Sequence, residues 1–207
     1  MARDDWFRNS SWNAKIAEAF EAKLKRARRK GQYLRIQACT LAESHPEIAL
    51  TLLERYFGQS DERWDDAQAH VDRATALLTL ERIDDAIAAY ESALDQEARQ
   101  PNVLTQAYID LPYLIAIGTL EARYPQAHEL LNAHRKRLMF PVDHFKWHAA
   151  RSLMTGSSDK IAAREIAKKA LEFAAKDDSG FRYHKKVGLV SDQHNEALRR
   201  LRKYCDA

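Results

Sequence analysis

Within the segment Asp84-Asp85-Ala86-Ile87-Ala88-Ala89-Tyr90-Glu91-Ser92-Ala93-Leu94, a small residue at 86, an aromatic at 90 and a second small residue at 93 fall on one face of a helix. Small side chains let a second helix approach closely, and the aromatic between them fills the groove that remains. The relation recurs at Ala49, Leu53 and Tyr56, at Ala127, Leu131 and His134, and at Ala163, Ala167 and Ala170, with leading alanines 37, 41 and 36 residues apart. A recurrence at such a period constrains the chain to helical units that bury their apolar faces on one another. Only 6 Gly and 5 Pro occur in 207 residues, and Ala, Leu, Glu, Arg and Lys abound, which favours long helices joined by short loops.

This pattern resembles the tetratricopeptide repeat over residues 30–176, and Trp147 ahead of Ala150 resembles the Trp that opens that family's motif. No unit carries the family's full first-helix series, and Pro101 falls late for a closing Pro. The resemblance implies an all-α fold, a right-handed array of antiparallel helical pairs (a tetratricopeptide-like solenoid), with an extra N-terminal helix pair and a C-terminal capping helix. It implies one helical-repeat domain over 1–207, with units at about 30–63, 64–101, 102–140 and 141–177 and a cap at 178–207. Some domains of that family clamp a carboxylate with Lys, Asn and Arg on the inner face of the array. Aligned positions here include Leu34, Ala38, Val71, Thr75, Ile109, Phe145, His148 and Ser152, mostly apolar or small, so an apolar helix or extended segment suits the face better.

Local signals place about ten helices. The first is expected from an N-cap at Ser11 to Lys30, stopped by Gly31, with Trp12, Ile16, Phe20 and Leu24 as its buried stripe. Pro46 starts the third helix and Gly58 ends it. Pro112 is expected to kink a helix over 102–121, residues 177–190 read as a loop, and a last helix follows Ser191. No alternating strand pattern of any length is visible.

Charge is uneven. Residues 1–42 carry a net +6, residues 43–100 a net −9, residues 101–150 a net +1 and residues 151–207 a net +5. In an array this predicts positive poles and a negative middle, which would steer partners and favour self-association of the basic poles with the acidic middle. The densest run is Lys23, Lys25, Arg26, Arg28, Arg29 and Lys30, followed by Arg35, with no acid between Ala22 and Ala42. Three readings compete: a solvated helix end, a docking face for an acidic protein, and a phosphate-binding face for nucleic acid. No aromatic interleaves with this run, so it offers no platform for base stacking. Arg182 and Tyr183, flanked by Phe181 and His184, form a second candidate contact, for an anion or peptide. The competing reading is a C-terminal segment folded back as a cap.

Catalytic signatures are scarce. His144 and His148 stand one helical turn apart, a spacing for two metal ligands, but Phe145 occupies the place of a general-base Glu and Lys146 is a poor neighbour for a cation. A metal-assisted hydrolase is therefore a minor alternative, and no cofactor is expected. The start lacks the apolar core of a secretion signal, and Cys39 and Cys205 form no motif, so a reducing cytoplasm is the expected location. The function expected is a non-catalytic protein–protein interaction module, an adaptor or assembly subunit. Its alternative is a nucleic-acid-associated protein that uses its basic terminal helices. The candidate partner-binding residues are Lys23, Lys25, Arg26, Arg28, Arg29, Lys30, Arg35, Phe145, His148, Arg182 and Tyr183.

Overall fold

The computed structural model describes residues 5–59 and 64–206. Ten α-helices and no strand occur among them: α1 (Ala14–Arg26), α2 (Lys30–Leu41), α3 (Pro46–Phe57), α4 (Asp66–Thr79), α5 (Ile83–Arg99), α6 (Ala107–Ile117), α7 (Tyr124–Ala133), α8 (Pro141–Thr155), α9 (Lys160–Ala174) and α10 (Asn195–Asp206). The chain divides into two compact units, Met1–Ala107 and Tyr108–Ala207, where the sequence reading has one continuous domain. Each unit has its own core.

In the first unit α2 packs on α3 and α4 on α5, and α4 also meets α2 and α3. The recurring small residues lie at these contacts. Ala49, Leu53 and Tyr56 on α3 and Ala86, Tyr90 and Ala93 on α5 are all buried. In the second unit α8 packs on α9, and α10 lies against both. Ala163, Ala167 and Ala170 form the fully buried face of α9. Period and packing thus agree at the level of adjacent helical pairs.

Helix ends follow local chemistry. Pro46, Pro125 and Pro141 occupy first turns, where a missing N–H costs nothing. Asp159 caps α9 by accepting from the Ala162 N–H at 2.9 Å. Glu81 and Thr119 adopt left-handed φ values of 58° and 54° just beyond α4 and α6. Each is followed by an N–H that reaches back across the turn, Arg82 to the Leu77 carbonyl and Leu120 to the Ile115 carbonyl. Thr119 is an unfavourable residue there, and Arg200 of α10 supports it. Its guanidinium donates to the Ile117 carbonyl at 2.6 Å and to the Thr119 hydroxyl at 3.3 Å. Pro112 lies inside α6 and denies the Tyr108 carbonyl its helical donor.

Two expectations for the first helix are corrected. The cap is Asn13, whose Oδ1 accepts from the Ile16 N–H at 3.0 Å, and not Ser11. The helix stops at Arg26, with Ala27 extended, and Gly31 is a buried residue of α2 rather than a stop. Continuing the helix would stack Lys25, Arg26, Arg28, Arg29 and Lys30 at three- and four-residue spacings, and like charges so placed repel. The chain breaks there and turns into α2.

Candidate functional site

The apolar stripe of α1 is only half covered. Phe20 and Leu24 are buried, but Ile16 stays half-buried and Ala19 is exposed. The segment before α1 supplies part of the missing cover. Trp6 packs against Phe20 and Tyr33 at ring separations of 5.3 and 4.8 Å, and Trp12 against Phe20 at 5.6 Å. What remains open is an apolar groove of about 400 Å³ lined by Trp6, Asn9, Ile16, Ala19 and Phe20, with Lys15 and Lys23 at its edges. Lys15 and Lys23 are two helical turns apart, about 12 Å along the axis.

One buried side chain holds this wall in place. Gln37 of α2 is wholly buried and clasps Asn9. Its Oε1 accepts from the Asn9 backbone N–H at 3.0 Å and from the Asn9 side-chain amide at 2.8 Å, and its amide donates to the Asn9 carbonyl at 2.8 Å. The Asn9 amide also donates to the Trp6 carbonyl at 2.7 Å. Sequence reasoning missed Gln37. The available signal was a lone amide between Leu34, Ala38 and Leu41 on the core face of a helix, and its partner lies 28 positions away. Gln37→Leu is expected to strand the polar groups of Asn9 and release residues 5–9 from α2, costing about 1–3 kcal/mol. Hydrogen exchange that stays unchanged at residues 6–9 in this variant would contradict the assignment.

Lys23, Lys25, Arg26, Arg28, Arg29 and Lys30 are all exposed. Because α1 ends at Arg26, they do not form one helix face. They span the last turn of α1, the connection, and the first residue of α2, beside the Lys23 end of the groove. Arg35 is different, and its assignment to this contact surface is corrected. Its side chain is largely buried and ion-paired to Asp72 at 3.0 Å and Asp65 at 3.3 Å. It ties α2 to α4. Gln68 donates to the other Asp72 oxygen at 3.0 Å.

Phe145, expected on a contact face, is wholly buried between Tyr113 and His194. The same holds for most of the proposed inner face: Leu34, Ala38, Val71, Ile109 and Ser152 are core residues, and the Ser152 hydroxyl donates to the Ala163 carbonyl at 2.8 Å. A helix pair at this close range buries the face that an open array would display.

His144 and His148 both stack on Phe173 of α9, at ring separations of 4.5 and 5.7 Å. Among the described residues no three His, Cys, Asp or Glu side chains converge as a metal ion requires. Burial, together with Lys169, His144, Arg151 and Arg135, holds the His148 imidazole down to about 4. Its Nδ1 is buried without a partner. The ring is a neutral packing element among cations.

Arg182 and Tyr183 sit at the tip of an ordered loop. The Ser179 N–H donates to the Lys185 carbonyl at 2.7 Å, the Ser179 hydroxyl to the His184 carbonyl at 2.8 Å, and the Lys186 ammonium to the Asp177 carbonyl at 3.1 Å. The loop is seated on α8. The Val142 N–H donates to the Gly188 carbonyl at 2.8 Å, and Phe181 packs on Phe140 at 5.2 Å. Gly188 has φ of 69° and lies where a Cβ would fall 2.5 Å from Phe140, so both backbone and space demand glycine.

No protein-family model, curated protein or solved structure matches this chain. Among the described residues no helix is long and apolar enough to cross a membrane.

Proposed function

We propose that this chain is a non-catalytic protein-interaction module built of tetratricopeptide-like helical pairs, whose groove beside α1 receives a short amphipathic segment with acidic flanks. The observation that carries this reading is the incomplete burial of the α1 stripe. Half-buried Ile16 and exposed Ala19 line an apolar groove over buried Phe20, with Lys15 and Lys23 also lining it and five further exposed cations following along the chain. Volume and lining suit two or three apolar side chains of a partner helix or strand. Carboxylates flanking those side chains would meet the lysines and the run from Lys25 to Lys30, which raises the association rate and selects against basic partners. Of the two acids on α1, Glu21 is paired with Arg55 at 2.6 Å and Glu18 is exposed between Lys15 and Lys23.

The test separates groove from charge. Ala19→Arg is expected to block the groove, and Arg26→Glu with Arg29→Glu to remove the flanking attraction. Both sites are exposed, so folding stability should change by no more than about 0.5 kcal/mol per position. Isothermal titration with a peptide alternating Leu and Glu, at low and high salt, should show binding to the parent that either change weakens at least tenfold. The double variant should also lose most of the salt dependence. Equal binding by the parent and Ala19→Arg would reject the groove.

A further inference from the structure

A second exposed surface, on the Tyr108–Ala207 unit, has a different chemistry from the α1 groove. Along Phe181-Arg182-Tyr183-His184-Lys185-Lys186, aromatic and cationic residues are interleaved, which the basic run at 23–30 lacks. The tip is unusually open. Tyr183 is 79% exposed and Phe181 39%, and Met139, beside Phe140, is 63% exposed. The Arg182 guanidinium lies over one face of the Tyr183 ring, 5.2 Å from its centre, and the ring stays largely open to solvent. The loop beneath is closed by its own hydrogen bonds and seated on Phe140 through Gly188, so the tip is held in shape before any ligand arrives. Asp178 meets Lys185 at only 3.5 Å, with both side chains solvated.

We infer that this loop is a binding site for single-stranded nucleic acid, with the open face of Tyr183 stacking a base and Arg182, Lys185 and Lys186 meeting the adjacent phosphates. An exposed aromatic face accepts any base, and the neighbouring cations follow the backbone, so the site is tolerant of sequence and sensitive to salt. Duplex is a poor fit, since its bases are already stacked and offer no face to the ring. The loop covers only one or two nucleotides, which sets a weak affinity with a shallow salt slope, about −2 for three phosphate contacts.

Fluorescence anisotropy with labelled twelve-nucleotide oligouridylate and oligothymidylate tests this, with a duplex of equal length and anionic phosphatidylserine vesicles as the other arms. The parent should bind the single strands more tightly than the duplex. Tyr183→Phe should bind as the parent does, and Tyr183→Ala about tenfold more weakly, with the salt slope kept. Arg182→Ala with Lys185→Ala should reduce that slope. Arg26→Glu with Arg29→Glu should leave single-strand binding in place, so failure of this site and failure of the α1 groove are told apart. No binding to single strands, equal binding to duplex, binding to vesicles only, or binding indifferent to Tyr183→Ala would each overturn the inference. Tyr183 is solvent-facing, so an unchanged melting curve for its variants excludes misfolding as the cause.

Discussion

Arg35→Ala should lower the stability of the first unit by about 3 kcal/mol, because it leaves Asp72 buried without its charge partner. Asp72 is 4% exposed and would keep only Gln68 as a strong donor. The two partners are affected in opposite senses by their surroundings. Burial is the largest influence on Asp72 and pushes its carboxyl above the usual range, although Gln68 and Arg35 pull it back. Burial also works against the Arg35 cation, but Asp72 and Asp65 outweigh it and the guanidinium holds its proton more firmly than usual. The pair is thus tolerated at a desolvation cost, and breaking it is worse than never having had it. Thermal melting should fall by about 12 °C or more in a unit of this size. Replacing both partners by apolar residues, Arg35→Met with Asp72→Leu, should recover most of the loss. A single variant within about 1 kcal/mol of the parent would show that water already reaches Asp72.

Acid should weaken the second unit. His148 and His194 are both held near 4, His148 by burial together with Lys169, His144, Arg151 and Arg135, His194 by burial and Lys146. His194 pairs with the Tyr113 hydroxyl at 3.0 Å and packs on Phe145. An unfolded histidine takes up its proton near 6.5. Folded-state values below the unfolded one mean that the unfolded chain binds more protons as pH falls. The stability these rings contribute is therefore fully present above about pH 6.5 and is lost progressively toward pH 4. The ideal slope is about 1.4 kcal/mol per pH unit for each ring. Half of that is a fair allowance for the water still reaching His148, which gives a loss of about 2 kcal/mol between pH 7 and pH 5. Melting followed at those two pH values should show it, and His148→Phe, which extends the stack on Phe173, should flatten the dependence. A parent whose second unit melts alike at both values would refute the assignment.

The readings that succeeded from sequence are those in which the signal is local or periodic. Pro46 opens α3 because ring closure and the absent N–H act on the residue itself, and Gly58 stands at its C-cap. Ala49, Ala86, Ala127 and Ala163 mark helix contacts because a small side chain at a fixed period leaves a gap that only another helix can fill. The exposure of the cations from Lys23 to Lys30 was also legible, since charge in such density has nowhere to be buried, whereas the sequence left Arg182 and Tyr183 between a contact surface and a folded-back cap. Other features depend on what lies across a contact, which no window of sequence contains. Arg35 continues the basic run in sequence, yet two acids 30 and 37 positions away turn it into a tie between α2 and α4. Phe145 and His148 sit one turn apart on a helix that read as a groove wall. The partner helix and His194, 49 positions beyond Phe145, close over Phe145, while Phe173 takes the His148 ring. The groove on α1 is likewise a tertiary product. Part of its lining, Ile16 and Phe20, is written in the stripe Trp12, Ile16, Phe20 and Leu24, but its other wall is Trp6 and Asn9, which Gln37 holds in place from 28 positions away. Periodicity determines which faces are apolar. Which of those faces stays uncovered is decided only by long-range hydrogen bonds and packing, because their free energy depends on atoms that the chain brings together only when it folds.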